Sequence, residues 1–289
     1  MTCFRTFYVY KGTDEATREP VQVPCGWCIG CRLDKSKQWG VRCMHEAQKY
    51  DDNCFITLTY DNEHLPDDGS IYKSHMQEFM KNLRNNYPKK RIRFYGCGEY
   101  GYDFDRPHYH ICLFNHDFDD KTIVEERRKE KPFQKGQFTA PYYVFTSKEL
   151  RSIWGKGRIE TSNLTLDSAC YVARYVTKKI TGKKAEEHYK GRTPEFALMS
   201  RRPGIGKPWL DSYWKDVYPK DYFTFNGVKI KPPRYYDDIL KKINPEKYDL
   251  VKDKREFFPR KEISSLRKRQ MERYKEIIIN NTLKRRYEI

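Results

Sequence analysis

His108 and His110 stand two positions apart in the run RPHYHICLF (106–114), whose aromatic and branched apolar residues read as a β-strand. Strand side chains alternate, so both imidazoles leave one face while Tyr109, Ile111 and Leu113 leave the other. Two ring nitrogens on one side of a rigid strand can hold one divalent cation. Glu99 ends the preceding run RIRFYGCGEY (91–100), and an antiparallel return would bring its carboxylate beside the rings. Two histidines and a carboxylate leave coordination positions open, which permits Lewis-acid chemistry. Ordinary packing of two hydrogen-bonded histidines accounts for the same spacing and stays open.

A second group lies in YVARYVTKK (171–179). On a helix, Ala169, Val172, Ala173, Val176 and Ile180 form an apolar stripe, and Tyr171, Tyr175 and Lys178 gather roughly opposite, each one turn from the next. A phenol can attack phosphorus or carbon once its proton is lost or its target is made electrophilic. At neutral pH only about one free phenol in a thousand is ionised, a handicap of about 4 kcal/mol. A metal on the phosphate and the lysine charge would each reduce it. Two surface tyrosines in a chain that has 23 of them are the plain alternative.

Thiols make the third group. Cys25, Cys28 and Cys31 follow one another at three-residue intervals in CGWCIGC, and Cys43 lies twelve residues on. Close thiols suit a structural zinc ion, with iron–sulfur a poorer second, while a tight turn with cysteines packed as small apolar groups needs no metal. Around them Arg32, Lys35, Lys37, Trp39 and Arg42 mix cations with an aromatic, as grooves for single-stranded DNA do.

The elements that must carry these groups show as changes of period. A strand is expected at Thr6 to Tyr10, a helix from Leu33 to Tyr50, and a strand in CFITLTY (54–60). Met76, Phe79, Met80, Leu83 and Tyr87 mark one face of a helix from Ser74 to Tyr87, opened by a Ser74–Gln77 capping box. Runs 91–100 and 108–114 are expected to pair antiparallel across a loop with Gly101, Asp103, Asp105 and Pro107. The charged segment DDKTIVEERRKEK (119–131) reads as a spacer before a strand at Phe138 to Phe145, a helix at Ser147 to Trp154, a strand in GRIET and a helix from Ser168 to Ile180. The class is therefore α+β, with one central sheet flanked by helices.

At 289 residues the chain can build one large domain with an appendage. A boundary is expected near the Gly- and Pro-bearing NGVKIKPPRYY, giving residues 1–225 as the body and 226–289 as a basic, mainly helical appendage. Residues 231–289 hold 18 Lys and Arg against 10 Asp and Glu, and Ile263, Leu266, Tyr274, Ile277 and Ile278 give them a partial helical stripe. A DNA-contacting arm and a solvated helix both fit. The formal net charge of +17 points to a polyanionic partner, nucleic acid first. No run suits a bilayer span and the first residues lack a secretory pattern, so a reducing cytosol and no membrane partner are expected, with the odd set of nine cysteines unpaired. No phosphate-binding P-loop pattern occurs.

Together these residues resemble the HUH superfamily of replication initiators and relaxases, endonucleases that cut single-stranded DNA through tyrosine. FITLTY resembles its first motif, RPHYHICLF its histidine–hydrophobic–histidine motif, and YVARYVTKK its two-tyrosine form of the tyrosine-x-x-lysine motif. Histidines before tyrosines is the order of replication initiators. CGWCIGCRLDKSKQWGVRCMHEAQ, FYGCGEYG and MSRRPGIGKPW are similar to initiators of gokushoviruses, single-stranded DNA phages of the Microviridae, so the resemblance spans roughly residues 20–215. It implies an HUH endonuclease fold with a ferredoxin/RRM-like core, and Mg²⁺ or Mn²⁺ on Glu99, His108 and His110. Tyr171 and Tyr175 would be the nucleophiles and Lys178 their accompanying lysine. Arg174 stands where a lysine would follow Tyr171, which favours Tyr175 as the essential nucleophile. The implied activity nicks and rejoins phage DNA at the replicative-form origin through a 5′-phosphotyrosine, with host helicase and polymerase as partners in the bacterial cytoplasm. A non-catalytic single-stranded DNA-binding protein is the alternative, and a metal-dependent nuclease using water is a third reading.

Overall fold

A computed structural model describes residues 3–11, 19–101, 105–127, 142–178, 183–218, 220–225, 227–257 and 264–285. In chain order the first elements are β1 (Phe7–Lys11), β2 (Glu19–Val23), α1 (Ile29–Ala47), β3 (Asn53–Tyr60), α2 (Lys73–Asn86), β4 (Arg93–Tyr100) and β5 (Pro107–Phe114). There follow β6 (Thr122–Arg127), β7 (Tyr142–Thr146), α3 (Lys148–Trp154), β8 (Gly157–Asn163), α4 (Leu166–Lys178), α5 (Lys183–Tyr189), β9 (Phe196–Met199) and α6 (Lys207–Val217). The last are β10 (Phe223–Phe225), β11 (Val228–Ile230), α7 (Arg234–Ile243), α8 (Pro245–Phe257) and α9 (Ser265–Arg285). The chain divides into two compact units, residues 39–213 and residues 1–38 with 214–289, so the expected 225/226 boundary falls inside the second. No described helix is long and apolar enough to cross a membrane.

The larger unit is an antiparallel sheet in the order β6-β7-β8-β3-β5-β4-β9 among the described residues, the α+β class read from the sequence and consistent with an HUH endonuclease fold. The alternation in β3 buries Cys54, Ile56, Leu58 and Tyr60 on one face. That face, continued by Tyr109, Ile111 and Leu113, packs with Met76, Phe79, Met80 and Leu83 of α2 and with Leu150 and Trp154 of α3. The other face, with Tyr95, Cys97, Cys112 and Phe114, meets Ala169, Val172 and Ala173 of α4 and Cys43 and Ala47 of α1. Gly40 lets α1 lie close to α4, since a Cβ there would sit 2.3 Å from Cys170 Sγ. Strand β5, inside the sheet between β3 and β4, is thus covered on both faces, and these neighbours fix its register.

Several sequence expectations shift. The capping box does not form: α2 starts at Lys73, so Ser74 lies inside the first turn, and the Tyr72 amide donates instead to the Tyr109 hydroxyl at 3.0 Å. The spacer 119–131 contains β6, a sheet-edge strand whose mostly exposed residues tolerate the charges that argued against a strand; residues 128–131 lie outside the described set. The strand expected at Phe138 to Phe145 is β7 from Tyr142, its first four residues also lying outside. Residues 103, 179, 180 and 263 lie outside as well, and the side chain of Ile278 is not described. Leu266, Tyr274 and Ile277 of the expected C-terminal stripe are exposed.

In the smaller unit β1 pairs with β2, and β10 with β11. Arg255 of α8 bridges Asp221 and Asp237, while the Tyr218 hydroxyl donates to Asp237 at 3.0 Å.

Candidate functional site

Register brings the expected ligands together. Glu99 pairs directly with His108 across β4 and β5, and His110 leaves the same face two residues on. His108 Nε2 lies 2.8 Å and His110 Nε2 2.9 Å from the same oxygen, Glu99 Oε1. The other ring nitrogens are anchored: His108 Nδ1 donates to the Arg106 carbonyl at 2.9 Å, and His110 Nδ1 meets the Thr57 hydroxyl at 3.0 Å. Thr57 is directly opposite His110 on β3, a second-layer residue that the sequence reading overlooked although FITLTY contains it. Its alternation was visible, but its partner was not, because cross-strand pairing depends on register.

The donor chemistry fits a cation. A carbonyl oxygen only accepts, so His108 Nδ1 carries the proton and the neutral ring has its lone pair on Nε2. That lone pair faces a carboxylate oxygen at hydrogen-bond distance, an arrangement that needs a proton or a metal ion between the two. Glu99 is 1% exposed and its Oε2 is buried with no hydrogen-bond partner among the described residues. Burial pushes the His110 pKa down against the pull of the Glu99 carboxylate, which favours the neutral imidazole a metal requires. Anchored outer nitrogens and converging inner ones are what orient histidine ligands.

On α4 the stripe of Ala169, Val172 and Ala173 is buried as expected. Tyr171 departs from its expected place: it is half-buried, its ring edge-on to His110 at 5.0 Å between centroids, its hydroxyl donating to Glu99 Oε1 at 3.4 Å. A long phenol leaning along the helix flank reaches what a wheel drawn from Cβ directions assigns to the far side. Tyr175, Val176 and Lys178 belong to α4, but their side chains lie outside the described residues.

Of the cysteines expected to cluster, Cys25, Cys28 and Cys31 do so, and the fourth is Cys3; their sulfurs lie within 4.8 Å of one another. Cys43 is instead fully buried in the larger unit's core beside Cys112. Its place on the apolar side of α1 removes it from the set that spacing suggested. The basic groove also divides. Lys35 and Lys37 are exposed and Arg32 half-buried. Arg42 is buried, donating to the Ile205 carbonyl at 3.0 Å and lying 3.9 Å over the Trp39 ring, which stacks on Tyr95. Trp39, half-buried, and Arg42 thus pack against the body.

The family of the replication-associated protein ORF2 matches residues 53–180, the span from β3 through α4 that holds both histidines and both tyrosines. The replication-associated protein VP4 of Bdellovibrio phage phiMH2K is 34% identical over 234 residues, 78% of this chain and 69% of that protein. The replication-associated protein ORF2 of Spiroplasma virus 4 is 36% identical over 252 residues, 81% of this chain and 73% of its own. The replication-associated protein ORF4 of Chlamydia phage 1 is 31% identical over 229 residues, 78% of this chain and 55% of its own. No solved structure matches.

Proposed function

Because the chain belongs to the ORF2 family of phage replication-associated proteins, we propose that it nicks and rejoins single-stranded phage DNA at the origin through a 5′-phosphotyrosine, starting and ending rolling-circle replication. The observation that carries this reading is the closure of Glu99, His108 and His110 on one buried oxygen, with the Tyr171 hydroxyl on the same oxygen. Mg²⁺ or Mn²⁺ bound by these three side chains would polarise the scissile phosphate and stabilise its developing charge.

The chain's own groups supply the rest. Thr57 and the Arg106 carbonyl keep the imidazoles aimed inward. A tyrosine oxygen attacks phosphorus in line as its proton passes to solvent; the P–O3′ bond breaks and the departing oxygen takes up a proton. A 5′-phosphotyrosine and a free 3′-hydroxyl result. In rejoining, a 3′-hydroxyl attacks the phosphotyrosine and the phenol is restored. One phosphoester replaces another in each step, so no nucleotide is consumed. The resemblance favoured Tyr175 as the essential nucleophile; the position of Tyr171 supports an equal part for it, the two alternating between the cuts that start and end a round. Lys178 would lower the charge cost of the phenolate. Exposed Lys35 and Lys37 are the DNA contacts kept in this reading, and host helicase and polymerase the partners that unwind the duplex and extend the 3′-hydroxyl.

Full-length protein mixed with the circular single-stranded phage genome, in Mn²⁺ or in EDTA, tests the proposal on a denaturing gel. A metal-dependent covalent adduct is expected, reduced at least about tenfold by Tyr171→Phe and absent from the double Tyr171→Phe, Tyr175→Phe variant. Tight binding with no adduct would favour the non-catalytic DNA-binding protein. Cutting that survives the double variant would favour a nuclease using water.

A further inference from the structure

We propose that Cys3, Cys25, Cys28 and Cys31 form a structural zinc site that staples the β1–β2 hairpin to the first turn of α1. Cys3 precedes β1, Cys25 follows β2, Cys28 lies just before α1 and Cys31 in its first turn, so the four converge only when the hairpin closes. Gly26 makes the turn between the first two knuckle cysteines with φ +82°, a conformation that residues with a Cβ rarely adopt.

The distances suit a tetrahedral ion. Cys28 and Cys3 sulfurs are 3.9 Å apart, and those of Cys25 and Cys31 4.0 Å. Zn–S bonds of about 2.3 Å in a tetrahedron put sulfurs about 3.8 Å apart. A disulfide would need about 2.05 Å, and all four thiols are free. Backbone amides already point at the sulfurs: Cys28 N–H donates to Cys25 at 3.2 Å, Cys25 N–H to Cys3 at 3.3 Å and Phe4 N–H to Cys28 at 3.5 Å. Such donors compensate thiolate charge, and four soft sulfurs select zinc over Mg²⁺.

Packing alone does not explain the cluster. The hairpin exposes Phe7, Tyr8, Val9 and Tyr10, and although Cys3 and Cys28 are buried, Cys25 and Cys31 are only half-buried, so apolar packing covers only half of the set. An isolated two-stranded ribbon is marginal in water, and a metal is a common staple where burial is small. This inference is independent of the nicking reading.

Metal analysis of the full-length protein, expressed with zinc and dialysed, tests it. About one zinc per chain is expected. The same content is expected in a His110→Ala variant, which separates this ion from any at Glu99, and in Cys43→Ser. Replacement by Co²⁺ should give thiolate-to-cobalt charge-transfer bands and the visible spectrum of a tetrahedral four-sulfur site. Cys3→Ser should lose both the metal and the bands. If it fails to fold, Cys3→His, which keeps a zinc ligand, should recover the metal with a shifted cobalt spectrum. The proposal is overturned if folded, reduced wild type holds no zinc and gives no charge transfer with Co²⁺. Full zinc in Cys3→Ser, loss of zinc in Cys43→Ser, or iron with sulfide in place of zinc would overturn it equally.

Discussion

Glu99 is the hinge of the candidate site, with both imidazoles on one of its oxygens and the other buried with no partner among the described residues. Its place beside the histidines could be read from the sequence because an antiparallel return needs only the two strands and a short loop. Thr57 could not, because its value rests on facing His110 across β3. Removing its hydroxyl with Thr57→Val should leave the fold intact and weaken Mn²⁺ binding roughly 10–100-fold, as loss of an outer-shell partner does. Calorimetric titration with Mn²⁺ checks this, and an unchanged affinity would reduce Thr57 to packing. Glu99→Gln should abolish measurable Mn²⁺ binding, since a neutral amide loses the charge and presents a donor to the ring lone pairs.

Helix α1 illustrates what an element does beyond its own stripe. Glu46 near its end is fully buried, paired with Arg93 of β4, and accepts from the Gly206 amide at 2.6 Å; Arg93 also donates to the Pro203 carbonyl at 2.7 Å. This network ties α1, β4 and the loop before α6 together beneath the face that α4 covers. Arg93→Ala would leave a carboxylate buried without its cation and should cost about 3–5 kcal/mol in denaturant unfolding. Replacing both partners by methionine should cost less than the sum of the single losses, because no charge is stranded. For α3, Ser147 accepts from the Leu150 amide at 2.9 Å, and Ser147→Ala should cost about 1 kcal/mol. The sequence placed the start of α3 at this serine, whereas α2's proposed box failed because a tertiary partner, Tyr109, took over the end of the helix.

For the molecule as a whole, the charge of +17 makes any DNA affinity salt-dependent. Contacts with about five phosphates would cost roughly tenfold in affinity for each doubling of salt, a slope that fluorescence anisotropy with a labelled oligonucleotide measures. A flat response would refute an electrostatic interface. Acid should also unfold the protein early. Burial holds His45, stacked on Trp209, down to about 3 from 6.5, and His116, whose ring nitrogens have no hydrogen-bond partner among the described residues, down to about 4. Below pH 6.5 the unfolded chain binds protons that these buried rings refuse, so stability falls from there toward about pH 4 and His116 adds no further loss below that. His116→Phe should flatten that part of a melting-temperature profile, and an unchanged profile would show that other groups govern it. The sequence by itself determined the α+β class, the strand with two histidines, its glutamate and the helix with two tyrosines, because each is a local period or a return between neighbouring strands. Only the tertiary structure decided that Cys3 and not Cys43 completes the thiol set, that Tyr171 leans onto Glu99, and that Trp39 and Arg42 are spent on packing. Those outcomes depend on strand register and on which helix face meets the sheet, long-range contacts that spacing along the chain does not encode.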